Sequence, residues 1–145
     1  MRTPTWGRAW VALTAALGLH VADEAAHDFL ATYNPAVRAI RARLPFLPLP
    51  TFTFEAWLTG LGIAVAVLAS LSPLAFRGSH RLRYLAYPYA ILMFFNGLSH
   101  IAGSVYLGRL MPGVYSAPLL LMASVFLFVA TRRVSPSPER EYAGA

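Results

Sequence analysis

Three stretches of this chain, residues 56–76, 84–108 and 110–131, contain no Asp, Glu, Lys or Arg. Each meets the length of about 20 apolar residues that a helix needs to cross a bilayer. One buried core does not require so much apolar sequence. The chain is 57% hydrophobic and 12% charged, and a soluble domain carries about twice that charged fraction. Arg closes each stretch: Arg77, Arg81 and Arg83 after the first, Arg109 after the second, Arg132 and Arg133 after the third. Such side chains snorkel to the headgroups. Tyr84, Tyr87, Tyr89, Tyr106 and Tyr115 fall near the expected ends, as an aromatic belt does.

The first 30 residues differ. An apolar run, residues 9–19, is followed by His20, Asp23, Glu24, His27 and Asp28. A cleaved signal peptide is one reading, but His20 sits badly at a cleavage site. The preferred reading is one helix over residues 7–30, rich in Ala and stopped by Asn34-Pro35. The predicted fold is therefore all-α. It is an integral membrane bundle of four helices, at about 7–30, 54–76, 84–108 and 112–131, forming one domain over residues 1–134. Val37, Ile40 and Leu44 alternate at helical spacing with Arg38, Arg41 and Arg43, which predicts a short amphipathic segment on the membrane surface between helices one and two. Prolines 45, 48 and 50 then impose an extended approach to helix two. The polar tail, residues 135–145, is expected to be disordered.

Arg placement gives the orientation. With four spans, eight Arg (2, 8, 77, 81, 83, 132, 133 and 140) share the side of both termini, and Arg38, Arg41, Arg43 and Arg109 share the other. The bias predicts a multi-pass protein of the cytoplasmic (inner) membrane with both termini in the cytoplasm. Basic residues in short clusters between apolar runs exclude nucleic acid as a partner. The lipid bilayer is the expected partner, with a lipidic or isoprenoid small molecule and a second copy of the chain as further candidates. Absence of Cys removes disulfides, thiolate metal sites and a Cys nucleophile.

His20, Asp23, Glu24 and His27 stand at i, i+3, i+4 and i+7, one stripe of helix one. Asn96 and His100 stand at i and i+4 on helix three. Counting about 1.5 Å per residue from Arg8 and from Tyr84 puts both groups roughly 18–24 Å along their spans, at matched depth. His with carboxylate on adjacent turns is the donor set of a nitrogen/oxygen metal site. A charged group deep in a span costs about 2.5–3.5 kcal/mol, so such residues mark functional sites by default. The predicted metal ligands are His20, Glu24, His27 and His100. Asp23 and Glu24 are the candidate general bases, and Asn96 and Glu55 the candidate supporting or substrate-contacting residues. Two plainer readings stay open: a solvated end of helix one, and a polar cluster that only fixes the bundle.

These residues resemble the HXXEE-motif family of small multi-span bacterial membrane proteins. The resemblance runs through His20-Val-Ala-Asp23-Glu24, then Asn96-Gly-Leu-Ser-His100, then Pro112-Gly113. Asp23 stands where the family name has Glu and is shorter by one methylene. The resemblance implies the fold and the site, and no particular activity. From the residues themselves, a metal-dependent enzyme using zinc or iron on a lipidic substrate is the first reading. A cation- or proton-coupled carrier or sensor, haem b held by His20 and His100, and a structural membrane protein are the alternatives.

Overall fold

The computed structural model describes residues 3–133; the expected polar tail lies outside them. Among the described residues there are six helices and no strand. They are α1 (Thr3–Ala26), α2 (Phe29–Arg43), α3 (Phe54–Ser70), α4 (Ser72–Phe76), α5 (His80–Leu107) and α6 (Ala117–Arg133). Helices α3 and α4 form one rod, Phe54–Phe76, interrupted at Leu71 by the approach to Pro73, which has no N–H to continue the ladder. Gly7 near the start of α1 lies against the Phe76 ring at the end of α4. Trp6 also meets Thr131 at the end of α6. The four long rods therefore alternate in direction, with α1 and α5 parallel.

Helix α1 is the central element and packs against α3, α4 and α6, while α5 packs chiefly against α6. Its buried face runs Trp6, Trp10, Leu13, Leu17, His20, Val21 and Glu24. Steps of three and four residues keep one stripe turned inward. The stripe is apolar for four turns and then becomes ionisable without changing face. Helix α5 repeats the pattern, with Leu82, Ala86, Tyr89, Met93 and Gly97 leading to His100. Gly97 brings α5 close to the start of α6, since a Cβ there would stand 3.1 Å from the Ala117 carbonyl.

The outside of the molecule is apolar. Two helical rods are long and apolar enough to cross a membrane, Phe54–Phe76 and His80–Leu107, and only 6% of the most apolar stretch of the first is buried. A core helix of a soluble protein would be mostly covered. Ile63, Val67, Leu92, Phe95, Leu119, Met122 and Val125 all face outward. Helix α1 is long enough but carries Arg8, Asp23 and Glu24, and α6 has 17 residues.

Several boundaries differ from those expected. Helix α1 ends at Ala26, and Asp28 takes a left-handed conformation (φ 53°) that turns the chain into α2. Asn34-Pro35 does not stop a helix but lies inside α2. The Asn34 amide is used elsewhere: Nδ2 donates to the Phe52 carbonyl at 2.9 Å and Oδ1 accepts from Phe52 N at 3.1 Å. It thus clasps α2 to the extended segment before α3. Helix α5 starts at His80, earlier than residue 84. The last helix starts at Ala117 rather than 112, because residues 112–116 form turns.

One contact ties the interrupted rod to the centre. Trp10 Nε1 donates to the Leu68 carbonyl at 2.8 Å, which lies in the last turn of α3, where carbonyls lack helical partners. Trp10→Phe keeps an aromatic ring but removes the donor and part of the buried volume. It should lower stability by about 1–3 kcal/mol, read from denaturant unfolding in detergent.

Candidate metal centre

At one end of the molecule the two inward stripes meet. His20 and Glu24 come from α1 and His100 from α5; all three are buried. His100 Nε2 lies 3.1 Å from Glu24 Oε1, and His20 Nε2 lies 3.7 Å from the same oxygen. The two imidazoles meet edge to face, with ring centroids 4.7 Å apart. Each residue offers one ligand atom, and these atoms lie within 4.8 Å of one another. His20, Glu24 and His100 thus form a two-nitrogen, one-oxygen group that can hold a metal ion.

Hydrogen bonds at Ser116 orient the His20 ring and direct its Nε2 toward Glu24. Ser116 Oγ is 2.7 Å from Asp23 Oδ2, and Ser116 N donates to the same oxygen at 2.9 Å. A carboxylate only accepts, so the Ser116 hydroxyl hydrogen goes to Asp23. His20 Nδ1, 2.8 Å from Ser116 Oγ, must then be the donor. In the neutral imidazole that leaves the proton off Nε2, a buried atom without a hydrogen-bond partner among the described residues. In that tautomer, with Glu24 ionised, two electron-rich atoms, His20 Nε2 and Glu24 Oε1, face one another in a dry setting. A cation between them resolves the repulsion.

The surroundings shape this arrangement. Asp23 sits at the N-terminal end of α6, where backbone N–H groups and the helix dipole favour an anion. Gly113 lies against both rings: a Cβ there would stand 2.9 Å from His100 Nδ1 and 2.9 Å from His20 Cε1. Its φ of 86° also suits only glycine. Phe29, the first residue of α2, places its ring 5.7 Å from His100 and 5.8 Å from Trp57, an apolar cover on the site. The early break in the chain after α1 makes this cover possible.

The structure does not bring every predicted residue to the centre. His27 was expected as a ligand, but α1 ends before it, and the turn carries its side chain outward to 48% exposure. Its Nδ1 pairs with Asp23 Oδ1 at 2.9 Å instead. Asp23 holds Ser116 and His27 rather than joining the trio. Glu55 is exposed in the first turn of α3 and lies outside the trio. Asn96, one turn before His100, does lie beside His20, with its buried Oδ1 lacking a partner. Ser116 was not anticipated. Its only sequence signal is a Ser just before an apolar run, an ordinary helix start, and nothing in the chain points to Asp23, 93 residues away.

Comparison with known protein families, curated proteins and solved structures finds no match to this chain.

Two glycines separate backbone strain from packing at the site. Gly108 has φ 61° with nothing within 4 Å of an added Cβ, whereas Gly113 has both the positive φ and the two rings. Gly108→Ala should cost about 1–2 kcal/mol, the left-handed penalty alone. Gly113→Ala should cost about 1–3 kcal/mol more from overpacking, measured by the same unfolding experiment.

Proposed function

We propose that this protein is a four-span membrane protein that binds a divalent metal ion, zinc or iron, at His20, Glu24 and His100. In this reading it acts as a metal-dependent enzyme on a lipidic substrate. One observation carries the metal assignment: His20 Nε2, Glu24 Oε1 and His100 Nε2 converge in a buried setting where His20 Nε2 has no other partner. Removing a carboxylate from water costs several kcal/mol unless a charge compensates it. A bound cation does so for Glu24. Such an ion supplies Lewis-acid activation of water or of an ester oxygen. The protein residues orient and shield. Ser116 holds the His20 ring, Gly113 admits both rings side by side, and Phe29 limits water.

The apolar exterior, two rods of membrane length and the alternating direction of the four rods support the four-span reading. Helix α1 then crosses with its ionisable residues facing protein, as intramembrane charges do. The excess of Arg at the end holding both termini supports an inner-membrane protein with cytoplasmic termini. Resemblance to the HXXEE-motif family supports the same site, since His20 and Glu24, His100, and Gly113 of its three short motifs meet in one place. Haem is disfavoured. The two imidazoles touch edge to face with Glu24 beside them, leaving no slot for a porphyrin.

A second reading is favoured by one observation. From the buried trio, hydrogen bonds run from His20 through Ser116 to the Asp23 carboxylate, whose other oxygen lies 2.9 Å from Nδ1 of the exposed His27 ring. This is the layout of a proton-coupled module.

Elemental analysis of detergent-purified protein separates the readings. Near-stoichiometric zinc or iron should be present in the wild type and lost in both His20→Ala and His100→Ala. Ser116→Ala should retain the site with metal affinity weakened about 10–100-fold. No metal in folded wild type, together with proton flux in proteoliposomes, would leave the proton-coupled reading standing.

A further inference from the structure

The turn after α1 and the loop joining α5 to α6 lie at the same end of the molecule, beside the trio. Between them is a cleft of about 350 Å³ whose lining includes His27, Asp28, Thr32, Arg109, Met111 and Tyr115. That volume falls within the range of small-molecule sites, about 300–1,000 Å³. Pro112 forms part of its wall, and the next residue, Gly113, packs against both trio imidazoles.

The charges in this cleft are unusual. His27 Nδ1 lies 2.9 Å from Asp23 Oδ1 and 2.8 Å from the Asp23 carbonyl. Arg109 and Asp28 are both exposed, and among the described residues neither forms an ion pair, with the other or with anything else. The cleft therefore offers one uncompensated cation and one uncompensated anion on opposite loops. A ligand that satisfies both carries an anion and a cation separated from each other. The Arg fork suits a phosphate, which it can grip with two parallel hydrogen bonds. The Asp28 carboxylate accepts hydrogen bonds, which suits a primary ammonium with N–H donors better than a quaternary one without them. Apolar surface lines the cleft: Leu110 is 63% exposed and Tyr115 63%. Aromatic and apolar side chains at this level are where a bilayer's headgroup region meets its hydrocarbon.

We infer that this cleft binds the head group of a phosphoethanolamine lipid, phosphate at Arg109 and ammonium at Asp28. The inference rests on the membrane reading above and names the class of lipid brought to the trio.

The test uses full-length protein in nanodiscs of equal parts phosphatidylethanolamine, phosphatidylcholine and phosphatidylglycerol. Retained lipid is quantified by mass spectrometry after extraction into mild detergent, and metal content is measured on the same samples. The wild type should be enriched in phosphatidylethanolamine over both others. Asp28→Asn preserves the left-handed backbone, which Asn tolerates. It should abolish the preference over phosphatidylglycerol while lipid stays bound. Arg109→Gln should weaken retention of all three about tenfold or more, and Arg109→Lys should restore part of it. Equal retention of the three lipids by folded wild type, or an unchanged preference in both charge-removing variants, overturns the assignment. Displacement of the lipid by inorganic phosphate alone would also overturn it, since the site would then read phosphate and not a zwitterion. Metal present without lipid preference defeats this inference only. Lipid preference without metal defeats the metal reading only.

Discussion

Everything near the closed end of this molecule is organised around one buried carboxylate. Glu24 has both imidazoles within 4 Å and almost no exposure. In an apolar setting such a group is tolerable only with compensation, and its partners come from its own helix and from α5. Helices that could otherwise slide along one another are thereby fixed in register, because a one-turn slip of about 5.4 Å would separate the ligand atoms. The apolar stripes of α1 and α5 set which faces meet; the ionisable ends of those stripes set how far along they meet.

The second layer serves the first. Asp23 is adjacent in sequence to Glu24 but points to another partner, the start of α6. Successive residues on a helix diverge by about 100°, so one helix can address two neighbours from one turn. Through Ser116, that contact also decides which nitrogen of His20 faces Glu24. Gly113 completes the arrangement by contributing nothing but space. The α5–α6 loop is thus part of the site, although it supplies no ligand.

Much of this was legible in the sequence, and the boundary of legibility is physical. Uncharged runs of bilayer length gave the rods of α3–α4 and α5, because length and hydropathy are local properties. Helical periodicity put His20 with Glu24 and Asn96 with His100, and matched depths brought the pairs together across two helices. Local rules failed where a distant contact overrode them. Asn34-Pro35 reads as a helix stop, yet the Asn34 amide is taken up by Phe52 and the helix continues. His27 belongs to the stripe by spacing, but the chain leaves the helix one residue too early. Ser116 carries no periodic signal at all. Its role depends on α6 beginning at Ala117, a boundary moved five residues by the turns over 112–116.

The division of the site among α1, α5 and the start of α6 bears on how the protein is made. Synthesis delivers the N-terminal helix first. Glu24 and His20 must wait through α2, α3 and α4 before His100 arrives, and longer still before Ser116 steadies the His20 ring. During that interval the Glu24 carboxylate lacks its α5 partner, which is costly in any apolar setting. A chain cut short before α5 would keep that cost permanently. The trio thus ties the settling of the first helix to the arrival of α5, far along the chain.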